Sequence, residues 1–236
     1  MGNLMAVLVA ANPASQQEKA HPPVAASSIL SRLRLETRAE HEAVEQVLDL
    51  MSDSLTRDIY CQRIEQFYGF YAPLEKALQA RVEGKPNQVG ELTLSPATRL
   101  ALAERLHKTA HLQQDLQYLG VTGETLPLCR DLPPLGTQAD VLGCLYVMEG
   151  ATLGGRMITR HISAALGVTS ATGGRFFEGY GDDTAKMWQG MRQLLVSRSP
   201  DTQSENTMVI SAITTFACLR SWCETCVTTD SKRYHP

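Results

Sequence analysis

Apolar residues recur at three- and four-residue spacing through almost the whole chain, and no stretch of any length shows strand-type alternation. This pattern leaves helix packed on helix as the available architecture, an all-α fold in one domain without internal repeats. Segment 28–51, SILSRLRLETRAEHEAVEQVLDLM, puts Ile29, Leu33, Val44, Val47, Leu48 and Met51 at helical positions, with Ser28 as the cap. A second helix is expected over 55–82, kinked or restarted by Pro73, and a third over 95–117, opened by Ser95 and Pro96. Further helices are expected over 137–166, ending before Gly167, and over 183–197 and 204–227. GKPNQVG at 84–90, LPLCRDLPPLG at 126–136 and TSATGGRFFEGYGDD at 169–183 read as loops.

A chain of 236 residues, 43% hydrophobic and 20% charged, can bury a substantial core. Its net charge of -3 disfavours a nucleic-acid partner. No apolar run approaches the roughly 20 residues that cross a bilayer. Residues 1–27 read as a flexible N-terminal arm: MGNLMAVLVAANPA has a short apolar core but lacks the preceding basic residues of a secretory signal. Residues 28–227 form the domain and 228–236 a C-terminal tail. A cytoplasmic location with reduced thiols is expected, since the six cysteines lack the density of a disulfide framework. Cys218, Cys223 and Cys226 form a C-x4-C-x2-C run, but within an expected helix, where they read as buried structural thiols.

Two stretches carry chemistry. In GCLYVMEGATLGGRM at 143–157, glycines stand at 150, 154 and 155 inside an expected helix. Each costs roughly 1 kcal/mol relative to alanine, a penalty that packing or function must offset. Gly150 and Gly154 are four apart and share a face, making a strip of bare backbone that a flat ligand or another helix can approach closely. In LRLETRAEHEAVE at 33–45, His41 and Glu45 lie one turn apart. The carboxylate can accept from one imidazole nitrogen and leave the other free for a metal, although the pair also suits a plain surface interaction. Arg34 and Arg38 lie on the same side of that helix and suit carboxylates of a ligand, or form a solvated basic face. His107 and His111 are one turn apart without the intervening Glu of a zincin helix. His161 lies roughly 16 Å along its helix from Gly150.

Together, T-R-x-x-H-x-x-x-E at Thr37–Glu45 and E-G-A-T-L-G-G at Glu149–Gly155 resemble the heme oxygenases, above all the bacterial kind associated with bacteriophytochromes. The likeness spans roughly 28–227 and includes GRFFEGYGDDTAKMW at 174–188. It implies a helical bundle with heme between a proximal and a distal helix. His41 would be the axial iron ligand, with Thr37 in the same heme-binding motif and Glu45 orienting the imidazole. Gly150, Gly154 and Gly155 would form the distal strip, leaving room for O2 over the porphyrin.

By the same resemblance, Arg34, Lys186 and Arg192 would meet the propionates. Tyr146 would bond a propionate or distal waters, and Phe216 would pack on the porphyrin. Mammalian members carry an aspartate after the first distal glycine, where this chain has Ala151. The distal waters would then be held by Glu149, Thr152 or backbone carbonyls. The implied reaction cleaves heme b, both substrate and prosthetic group, to biliverdin, Fe2+ and CO. It uses O2 and electrons from a ferredoxin or an NAD(P)H-dependent reductase. A bacteriophytochrome is the implied recipient of the bilin. Alternatives are heme release for iron acquisition, a non-catalytic heme-storage protein, or a helical interaction protein without heme.

Overall fold

The computed structural model describes residues 28–84, 94–121 and 126–229. The expected arm at 1–27, most of the 84–90 loop and residues 230–236 of the expected tail lie outside the described residues. Within them the fold is all-α, with no strand. The helices are α1 (Ile29–Glu36), α2 (Arg38–Leu48), α3 (Arg57–Glu83), α4 (Pro96–Ala103) and α5 (Lys108–Tyr118). They continue with α6 (Gln138–Leu166), the single turn α7 (Arg175–Glu178), α8 (Thr184–Ser197) and α9 (Thr202–Thr229).

The expected first helix is two. At Thr37 the backbone has φ −89° and ψ −5°, and its hydroxyl donates to the Leu33 carbonyl at 2.7 Å. Such back-bonding loosens a helix, and the helical run is interrupted at Thr37, between α1 and α2. Pro73, by contrast, does not interrupt α3. Proline has no N–H for the Gly69 carbonyl, and the backbone N–H of Cys129 donates to that carbonyl instead, at 2.9 Å. Gly69 permits the approach, since a Cβ there would lie 2.6 Å from the Pro127 carbonyl oxygen. The Pro-rich connection therefore docks against α3 and repairs the gap proline leaves.

The expected 95–117 helix also divides. Ser95 caps α4, with Pro96 in its first turn. The turn at 104–107 then starts α5, whose first amides, Lys108 and Thr109, donate to the Glu75 carboxylate of α3 at 2.6 and 2.9 Å. A helix start capped by a distant helix has no local signal. Asp115 does the same for α7, accepting from the Arg175 and Phe176 amides at 2.7 and 2.8 Å.

Helix α6 is the spine. It opens with a Thr137–Asp140 capping box and ends on Gly167 at φ +69°. It packs along α9, and at the crossing a Cβ on Gly143 would come 2.2 Å from the Met208 carbonyl oxygen. Phe67, Phe70 and Tyr71 of α3 interlock with Phe176 and Phe177 to form the aromatic centre of the core.

Candidate active site

A cavity of about 970 Å³ opens between α1–α2 and α6, with α8 and α9 along its side and Phe67, Tyr71, Phe176 and Phe177 in its lining. Its volume lies at the upper end of the ~300–1,000 Å³ range of small-molecule sites.

His41, Thr37 and Glu45 line it from the α1–α2 side. His41 Nδ1 lies 3.6 Å from Glu45 Oε1, beyond hydrogen-bond length, and both atoms are buried without a partner. Burial lowers the imidazole pKa against the opposing pull of Glu42. Burial, followed by the charge of Glu42, pushes the Glu45 carboxyl up to about 7. Burial thus favours the neutral imidazole, with Nδ1 turned to a carboxyl and Nε2 the nitrogen available to a metal. Phe216 of α9 meets the imidazole edge-on, 5.4 Å between centroids. It lines the cavity, but its ring contact is with His41.

Tyr146, Gly150, Ala151 and Gly154 line the cavity from α6. A Cβ on Gly150 would meet nothing within 4 Å, so the missing side chain is open space in the cavity. Burial raises the Tyr146 hydroxyl, opposed by Thr37 and Arg34, and its ring lies 5.8 Å from that of Trp188. Arg34 and Arg192 line the cavity without an ion-pair partner among the described residues, whereas Arg38 bonds Glu42 at 2.8 Å.

Four residues depart from expectation. Gly155 faces away from the cavity: a Cβ there would lie 2.0 Å from the Phe177 carbonyl oxygen, so it lets α7 cross α6. Helical geometry explains this, since residue 155 lies about 100° round the axis from 154. Lys186 is exposed and outside the lining. Glu149 and Thr152 are also outside it. The Thr152 hydroxyl donates to the Glu149 carbonyl at 2.6 Å, and the Glu149 side chain is buried among cations. Of the other histidines, His161 bonds the Ser52 carbonyl at 2.9 Å, and His107 stacks edge-on with His111. Neither arrangement makes a metal site among the described residues.

Residues 27–225 match the heme oxygenase family. The chain belongs to that family. It is a heme-degrading oxidoreductase, and heme is its ligand and substrate. The fold is shared with a heme oxygenase of Neisseria meningitidis, solved in NO- and CO-bound forms. The alignment covers 88% of this chain and 96% of that one, at a TM-score of 0.67 and 18% identity. No curated protein matches the chain. Among the described residues of this heme oxygenase, no helix is long and apolar enough to cross a membrane.

Proposed function

We propose that the chain binds heme in this cavity, with His41 as axial ligand, and opens the porphyrin to biliverdin with release of Fe2+ and CO. The observation that carries this reading is one cavity lined by both an orphaned imidazole–carboxyl pair and a strip of bare helix backbone. Bound heme would supply the iron that activates O2 and the ring that is opened.

The residues suit that ligand. A proton on His41 Nδ1, turned to Glu45, leaves the Nε2 lone pair for iron, and a small tightening of the 3.6 Å gap completes that hydrogen bond. Phe216 limits rotation of the imidazole. Gly150 and Gly154 keep side chains off the opposite face, and Ala151 adds only a methyl group. Arg34 and Arg192, which have no ion-pair partner among the described residues, suit the two carboxylates of heme. The α6 lining contains no carboxylate, so proton delivery there falls to water and backbone groups. We take the domain to be 28–227, the electron donor to be a ferredoxin or NAD(P)H-dependent reductase in the cytoplasm, and the recipient of the bilin to be a bacteriophytochrome.

The test is aerobic turnover of the heme-loaded protein with a reducing system. Loss of the porphyrin band with appearance of biliverdin is expected. Heme that persists unaltered would leave a storage protein in place of an enzyme.

A further inference from the structure

Glu149 immediately precedes Gly150, yet takes no part in the cavity lining and is only 1% exposed. Its carboxylate accepts from Arg105 Nη1, from Lys108 Nζ at 2.7 Å and from the Tyr180 hydroxyl at 2.8 Å. Arg105 also donates to the Met187 carbonyl of α8 at 3.0 Å, and Lys108 lies 5.2 Å from the Tyr180 ring centroid. Glu75, also buried, accepts from the backbone amides of Lys108 and Thr109 and so fixes the start of α5 beside this cluster. Burial, followed by the neighbouring Glu149 charge, raises the Tyr180 pKa and keeps its hydroxyl a donor.

Buried ion clusters are a poor route to stability compared with apolar packing, and their best-attested use is to select one arrangement among several. The need for such selection is local. Between Val147 and Ile158, α6 presents to the cavity only Gly150, Ala151 and Gly154, which offer little side chain to fix its rotation, and its glycines make the segment intrinsically weak. The far side of the helix supplies restraint. There Gly155 sits against the Phe177 carbonyl, and Glu149 reaches three separate segments: the turn before α5, the start of α5, and the Tyr180 turn.

We propose that Glu149, Arg105, Lys108 and Tyr180 form a positioning device for the distal helix. The device fixes the rotation and depth of the Gly150–Gly154 surface over the heme. Through the Arg105 bond to Met187, it also ties that surface to α8, which carries Arg192 to the same cavity. The proposal rests on the heme oxygenase reading of the cavity.

The test uses the full chain loaded with heme. Glu149→Gln keeps the volume and one acceptor but takes from Arg105 and Lys108 the buried carboxylate they share, and Tyr180→Phe removes a single donor. Both variants are expected to retain the His41-ligated heme spectrum and to bind heme within about threefold of the parent, while Glu149→Gln loses about tenfold or more in kcat, because misplacement of about 1 Å is that costly. The C–O stretching band of the ferrous CO complex, which reports the surroundings of the distal face, should shift or broaden, and the ratio of biliverdin isomers should change. Both effects should be weaker in Tyr180→Phe. Folded variants with the parent's CO band and isomer ratio would overturn the proposal, and if Glu149→Gln does not fold, Tyr180→Phe decides alone. A parent that binds heme without turnover would sink the enzymatic reading, yet the CO band would still test the positioning role.

Discussion

Gly150→Ala should make the heme-free protein more stable and the enzyme worse. In the heme-free cavity the new Cβ meets nothing within 4 Å, so the steric cost is close to zero. Alanine in place of glycine in a helix interior contributes about 1 kcal/mol, which raises Tm by about 2–4 °C in a chain of this size. The same methyl group occupies the space through which the bare backbone approaches the porphyrin, and turnover should fall about tenfold, comparable to other small misplacements of reacting groups.

Gly155→Ala is the control, one residue away in the same helix. Its Cβ would lie 2.0 Å from the Phe177 carbonyl oxygen, a backbone atom that cannot swing aside. Overpacking of this kind costs about 1–3 kcal/mol and outweighs the gain in propensity. Denaturant unfolding of the heme-free variants, followed by turnover assays, separates the two. A Gly150→Ala protein that is less stable, or as active as the parent, would refute the division of the glycines into cavity and packing roles. So would a Gly155→Ala protein as stable as the parent.

His41→Ala should abolish the axial-ligand signature of the ferric heme spectrum, and added imidazole should restore it; an unchanged spectrum would place the ligand elsewhere. Arg34→Ala and Arg192→Ala should each weaken heme affinity about fivefold to thirtyfold, in line with a charge-assisted bond of about 1–2 kcal/mol. Lys186→Ala, exposed and outside the lining, should leave affinity unchanged. Burial, followed by the charge of His107, lowers the His111 imidazole to about 4, from the usual 6.5. Between these values the unfolded chain takes up a proton that the folded chain refuses, so stability falls as pH drops from 6.5 to about 4. His111→Gln should flatten that part of the denaturation profile.

Much of the site could be read in the residues themselves because it is local. His41 and Glu45 share a helical face by spacing, and α6 is bounded to within a residue by Thr137, whose hydroxyl accepts from the Asp140 amide, and by Gly167, which takes the left-handed conformation. Gly150 and Gly154 were paired by the same periodicity. What escaped the sequence was non-local. Gly155 could be assigned only once α7 was seen crossing α6, and Glu149 only with its partners at 105, 108 and 180 in place. The break before α5 depends on Glu75, which is 33 residues away, and the continuity of α3 through Pro73 depends on the amide of Cys129. In each case a single side chain or carbonyl finds its partner through tertiary packing, and spacing along the chain carries no trace of it.

The most direct measurement is a crystal structure of the heme complex. His41 Nε2 should be bonded to the iron, with the main chain of residues 150–154 in van der Waals contact across the other face of the porphyrin. Iron ligated by another residue, or a porphyrin away from those glycines, would contradict the proposed binding site.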